Sequence, residues 1–228
     1  MDLTIKDVSE LLNTSEQTIT QWIDSKQIPS YQIDNQWRFS RMEIEDWMIN
    51  QGLPAQHEDN SSSKPSLYTF YRALNKGGIY YNIMGNSKEA VITHSMKAIV
   101  KTLEMDAEGI TALLLDRERL MPTALNHGVG VPHTRDFILD KPYDILSIVY
   151  PEKAIDYGAL DNKPVDILFF LLASSDKRHL QLLAKIALLC SDKESLAFLK
   201  TRPNKQNLMA FIKQWENQGS SSKKLQQV

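Results

Sequence analysis

The stretch PAQHEDNSSSKPS, residues 54–66, carries three consecutive serines, two prolines and mixed charge, and no aliphatic side chain larger than alanine. A segment that polar buries too little apolar surface to offset the entropy of ordering it, so it reads as a tether. The chain must then fold as two units. The expected layout is an N-terminal module over residues 1–52, a linker over 53–66, a larger domain over 67–217 and a disordered polar tail over 218–228. With 42% apolar and 24% charged residues, the composition is that of a soluble globular protein and supports a packed core. No apolar run approaches the ~20 residues of a membrane span. The opening MDLTIK lacks a basic start followed by an apolar run, so the expectation is a cytoplasmic protein with no membrane partner. Cys190, the single cysteine, stands beside Ala187, Leu188 and Leu189; it excludes an internal disulfide and reads as a buried small hydrophobe.

The first unit announces its helices through capping chemistry, in which a hydroxyl accepts from the amide three residues on while the side chain there reaches back. Thr4 with Asp7, Thr14 with Gln17 and Ser40 with Glu43 predict three starts. The helices would bury Ile5, Val8, Leu11 and Leu12; then Ile19, Trp22 and Ile23; then Ile44, Trp47 and Met48. Only Asn13 separates the first two, which forces a sharp turn. Tyr31, Ile33, Trp37 and Phe39 alternate around Asp34-Asn35, the pattern of a short hairpin. The succession of helix, turn, helix, wing and helix over residues 3–48 resembles the winged helix-turn-helix of the excisionase and MerR type. That resemblance implies a second helix in the DNA major groove and a wing on the backbone, with Ser15, Glu16, Thr18, Gln21 and Arg38 as contacts. Against it, residues 1–52 hold four basic and nine acidic side chains, and the basic footprint that supplies most non-specific DNA affinity is missing. Two readings stay open: a DNA-binding module, or one that binds protein or acts as a structural cap. Trp22, Trp37 and Trp47 read as core.

In the second unit, residues 87–103 carry apolar side chains at helical period, and Asp106 caps a further helix to residue 119. Strands are expected at 129–131, 145–150 and 165–173, the last apolar on both alternations and so central and covered on both faces. Helices follow from Ser175 or Asp176 to 190, over 193–200 and over 205–215, which makes an α/β domain. Within NHGVGVPHTR, residues 126–135, two glycines permit a tight turn and Pro132 fixes φ just before His133.

Together with DRER at 116–119, LDNKPVDILF at 160–169 and HLQLLA at 179–184, this segment resembles the IIA domain of the bacterial phosphotransferase system, of the mannitol, fructose and nitrogen-regulatory type. The resemblance implies a mixed sheet flanked by helices, with His133 accepting a phosphoryl group from the phosphocarrier HPr and His179 and Arg117 accompanying it. A neutral imidazole is nucleophilic at cytoplasmic pH, and a guanidinium can fork two phosphoryl oxygens. A helix N-terminus at His179 favours an anion, so the chemistry calls for no metal and no cofactor. Taken without the resemblance, Arg117 reads as a surface partner of Glu118 or Asp116, and His179 as a solvated helix residue. The carrier reading needs the three groups to converge on one exposed pocket.

Two departures stand out. Residues 120–127 replace a glycine-containing turn, with His127 read either as an exposed loop histidine or as a second polar group near the pocket, and Arg135 stands where the family has a lysine, ready to face an incoming phosphate. His57 and His94 receive no role. With a helix-turn-helix and no permease segment, the nitrogen-regulatory branch fits best. The chain reads as a regulatory carrier, not a stand-alone enzyme, whose ~1.5–2 added charges on phosphorylation alter contact between modules or with a regulatory protein target. The alternative is a DNA-binding transcription regulator whose IIA-like domain senses or dimerises without phosphotransfer. A hydrolase is disfavoured because no serine or cysteine motif accompanies the histidines.

Overall fold

The computed structural model describes residues 3–12, 14–51, 69–101, 103, 105–134, 139 and 143–221, so the linker expected over 53–66 and Arg135 lie outside the described residues. The first unit runs α1 (Ile5–Leu12), α2 (Glu16–Asp24), β1 (Tyr31–Ile33), β2 (Gln36–Arg38) and α3 (Arg41–Gln51). Thr4 and Asp7 form the expected reciprocal cap: the Thr4 amide donates to the Asp7 carboxylate at 2.8 Å, and the Asp7 amide donates to the Thr4 hydroxyl at 3.2 Å. The second start moves by one residue. Ser15, in extended conformation, accepts from the Thr18 amide, and Thr14 stays outside the helix. β1 and β2 pair antiparallel around Asp34 and Asn35, both at positive φ, which suits a two-residue hairpin turn. Val8, Ile19, Phe39, Ile44 and Met48 are buried, and the Trp22 and Trp47 rings lie 5.7 Å apart, as core residues.

The second unit continues with α4 (Thr69–Gly77), β3 (Ile79–Ile83), α5 (Lys88–Val100), α6 (Ala107–Leu120), β4 (Ala124–Leu125), β5 (Val129–Gly130), β6 (Ile145–Pro151), β7 (Ile167–Leu172), α7 (Asp176–Ser191), α8 (Lys193–Lys200) and α9 (Lys205–Ser221). Five strands form a mixed sheet in the order β3-β6-β7-β5-β4. β3 is parallel to β6 and β5 to β7, while the β6–β7 and β4–β5 pairs are antiparallel. β7 is central, as its two apolar faces require. Ile167, Phe169 and Leu171 pack toward Leu180, Leu183 and Ile212, and Leu168, Phe170 and Leu172 toward Val91, Met96 and Leu114.

α4, β3 and β4 were not legible in the sequence. The Phe70 and Tyr71 amides at the start of α4 donate to the buried carboxylate of Glu216, both at 2.9 Å, so the cap comes from the far end of the chain. Gly77 lets α4 abut β6, since a Cβ there would fall 2.2 Å from the Leu146 carbonyl oxygen. Residues 218–221, expected to begin the tail, continue α9, whose last turns Glu216 anchors; residues 222–228 lie outside the described residues. No helix among the described residues is long and apolar enough to cross a membrane.

The two units are not held apart. α1 and α3 both pack on α7, and Val8, Ile19 and Met48 belong to the same apolar cluster as Leu180 and Leu183.

Candidate functional site: a buried histidine pair and a carboxylate from the first unit

His133 follows β5 and bridges to Leu171 of β7, where the Leu171 amide donates to the Pro132 carbonyl at 3.0 Å. Proline before it and a ladder bond beside it fix its backbone. Its Nδ1 lies 2.7 Å from the Val131 carbonyl. A carbonyl only accepts, so Nδ1 carries the proton and the lone pair sits on Nε2. His179 stands in the first turn of α7, a helix capped by Ser175. The two rings lie 5.1 Å apart at 58°. The turn before α7 is pinned by Asp144, which accepts from the Ser174 amide and hydroxyl, both at 2.9 Å, and from Arg178 at 2.6 Å.

Arg117, near the end of α6, is buried; it donates to the Met121 carbonyl at 3.0 Å, and its charge is felt at His179. Its neighbours do not hold it at the surface. Asp116 pairs with Arg119 at 2.7 Å, while Glu118 is buried under Thr123 and Tyr157. The surface reading of Arg117 is therefore overturned, and so is that of a solvated His179. All three groups are nearly inaccessible, with His133 0% exposed, His179 1% and Arg117 2%. The exposed pocket expected from the sequence is closed.

What closes it is α3. The Glu45 carboxylate, 2% exposed, reaches 3.8 Å from His133 Nε2 with one oxygen and 3.5 Å from His179 Nε2 with the other. Arg41, one turn earlier, donates from Nε to Glu45 at 2.8 Å and pairs through Nη1 with Asp176 at the start of α7. Burial raises the Glu45 pKa, but contact with His133 and the charges of His179, His133 and Arg41 outweigh it and hold the carboxyl at about 2. Burial, aided by the His133 charge and opposed by Glu45, pushes His179 down to about 3. At neutral pH the pocket thus holds an ionised carboxylate facing a neutral His179. The same side chains offer three ligand atoms within 4.8 Å of one another, all buried, a donor set that zinc accepts.

Glu45 belongs to none of the site motifs of the sequence. On the helical wheel of α3 it falls between Met48 and Ile49, inside the apolar stripe, which was the available sign that an acid was destined for burial. His127 lies apart from the pocket, exposed and at positive φ, with its amide donating to Asp161 at 2.8 Å. Of the residues expected to touch DNA, Glu16 and Gln21 are exposed on α2. Thr18 is buried with its hydroxyl 2.9 Å from that of Ser15, which caps the helix. Arg38 is half-buried and bonded to Gln36 and the Trp37 carbonyl of its own wing.

Known proteins resemble both units. Residues 72–215 match the family described as Phosphoenolpyruvate-dependent sugar phosphotransferase system, EIIA 2, and residues 3–52 match a helix-turn-helix domain. A nitrogen regulatory protein of Pseudomonas aeruginosa is 30% identical over 147 residues, covering 63% of this chain and 94% of its own. A nitrogen regulatory protein of Bradyrhizobium diazoefficiens is 28% identical over 129 residues, covering 56% of this chain and 83% of its own. The crystal structure of the nitrogen regulatory protein IIA-Ntr from Neisseria meningitidis aligns with a TM-score of 0.53 at 23% identity, covering 59% of this chain and 92% of that one.

Proposed function

The chain belongs to the EIIA 2 family of the phosphoenolpyruvate-dependent sugar phosphotransferase system, and on that premise we propose that it is a regulatory phosphoryl carrier that takes the group from phospho-HPr onto His133. One observation carries the reading: the Val131 carbonyl holds the His133 Nδ1 proton, leaving Nε2 as nucleophile beside His179, which itself feels the charge of Arg117. In the transfer, the P–N bond to the donor imidazole breaks as a P–N bond to Nε2 forms, so one phosphoramidate is exchanged for another. Such a loose transition state asks chiefly for alignment and for cations or donors around the equatorial oxygens. Arg117 and the first-turn amides of α7 answer that need. Neutral His179 can donate to a phosphoryl oxygen without adding charge. The nitrogen-regulatory names of the relatives favour a regulatory over a sugar-transport role. The cytoplasm is the compartment of such a carrier.

The helix-turn-helix module is proposed to bind DNA through α2, whose outer residues Glu16, Gln17, Thr20, Gln21 and Asp24 are exposed. A second reading, in which the IIA-like domain senses or dimerises without transfer, draws on the complete burial of His133. Incubation with phosphoenolpyruvate, Enzyme I and HPr separates the two. An acid-labile label lost in His133→Ala supports the carrier; no label in wild type or in variants that expose His133 refutes it.

A further inference from the structure

We propose that the N-terminal module is the lid of the histidine pocket, with the Glu45 carboxylate standing in the space that the transferred phosphoryl group would take; the identification of that space rests on the carrier reading. The carboxylate enters from outside the IIA-type domain, on a helix that also packs against α7, the element bearing His179. Its two oxygens divide between the two histidines, one facing each Nε2 at 3.8 and 3.5 Å. It is an oxygen anion paired with the Arg41 cation, in a pocket where the charge of Arg117 is also felt at His179. Nε2 of His133 makes no hydrogen bond, although it is fully buried. A P–N bond spans less than half the 3.8 Å between that nitrogen and the carboxylate oxygen, so phosphoryl oxygens and carboxylate would claim one place. Two anions there would also repel. Closure and phosphorylation therefore exclude each other: a closed lid bars the donor, and a phosphorylated His133 expels α3.

Arg41 is the latch. It holds Glu45 with one nitrogen and Asp176 with another, tying the lid to the first turn of α7. Closure leaves the outer face of α2 uncovered, so the lid position changes what surrounds that face without occupying it.

The test uses the full chain as wild type, Glu45→Ala, and Asp176→Arg, which sets a second cation against Arg41 at a largely exposed position. Diethyl pyrocarbonate modification, assigned by peptide mass, reads access to His133 and His179. Exposed His127 is the internal standard, and the buried thiol of Cys190 reports loss of fold. Initial labelling rates from phospho-HPr are measured on the same samples. Both variants are expected to react at His133 at least ~10-fold faster than wild type and to take label correspondingly faster, with Cys190 still protected. Should Cys190 become reactive in Glu45→Ala, Asp176→Arg decides between open and closed, because its change lies on the surface. Equal modification of His133 in wild type and variants overturns the lid whatever the labelling does. Variants that open to the reagent yet never accept label uphold the closure and overturn the carrier reading instead.

Discussion

Acid should loosen the closed pocket, and the size of the effect follows from His179. Burial holds this imidazole at about 3, against a reference of 6.5. Between those values an open or unfolded chain binds a proton that the closed chain refuses, so closure is at full strength above pH 6.5 and weakens as the pH falls toward 3. Each unit crossed is worth about 1.36 kcal/mol, so descending from 6.5 to 5 removes about 2 kcal/mol, a factor of ~30 in the population of the open or unfolded form. Glu45 adds to the loss in the same direction. Its carboxyl is held at about 2 from a reference of 4.5, so its contribution is complete above pH 4.5 and is withdrawn below it. Urea unfolding of wild type and His179→Gln at pH 7.5, 6.5 and 5.0 measures this. Wild type should lose about 2 kcal/mol across the range and the variant clearly less. An equal loss in both proteins, or none in wild type, would refute the assignment of a buried neutral imidazole.

Gly77→Ala should destabilise the protein by about 1–3 kcal/mol, as overpacking does, because its Cβ would meet the Leu146 carbonyl oxygen; a thermal melt indistinguishable from wild type would contradict the close approach of α4 to β6. Glu216→Ala strands the Phe70 and Tyr71 amides and the Lys185 ammonium, which lies 2.6 Å from the carboxylate. A loss of about 3 kcal/mol is expected from denaturant unfolding, with amide exchange rising first in α4. If α2 reads base edges, Gln21→Ala should cost about 1–3 kcal/mol at one position of a bound site and leave non-specific binding unchanged; a gel shift over single-base variants of a selected operator decides it.

The capping residues were legible because their partners lie close in the chain, as Thr4 with Asp7 and Ser175 with Arg178 show. Where adjacent hydroxyls compete, as Thr14 and Ser15 do, the local pattern does not say which backbone will be extended, and the start shifts by one residue. α4 escaped because its N-terminal amides are satisfied by Glu216, 146 residues from Phe70. The mixed sheet was foreseen through family likeness; among its strands, period and composition marked only those that are buried. His133 carries a signal of its own in its glycine and proline context, whereas His179 and Arg117 stand out only through the family likeness. Glu45 had none of these, since its significance arises when α3 docks on α7. For the same reason the exposed pocket was the wrong expectation: the motif describes the IIA-type domain, and the burial comes from its neighbour.

α3 presents Ile44, Trp47 and Met48 to its own module and, on the adjoining side, Arg41 and Glu45 to α7. One helix thus serves two neighbours at once. Departure from the second neighbour would part the apolar contact that α1 and α3 share with α7 as well as the polar latch, while the outer face of α2 takes no part in either. The state of a single imidazole would then be written as an address instead of a conformation.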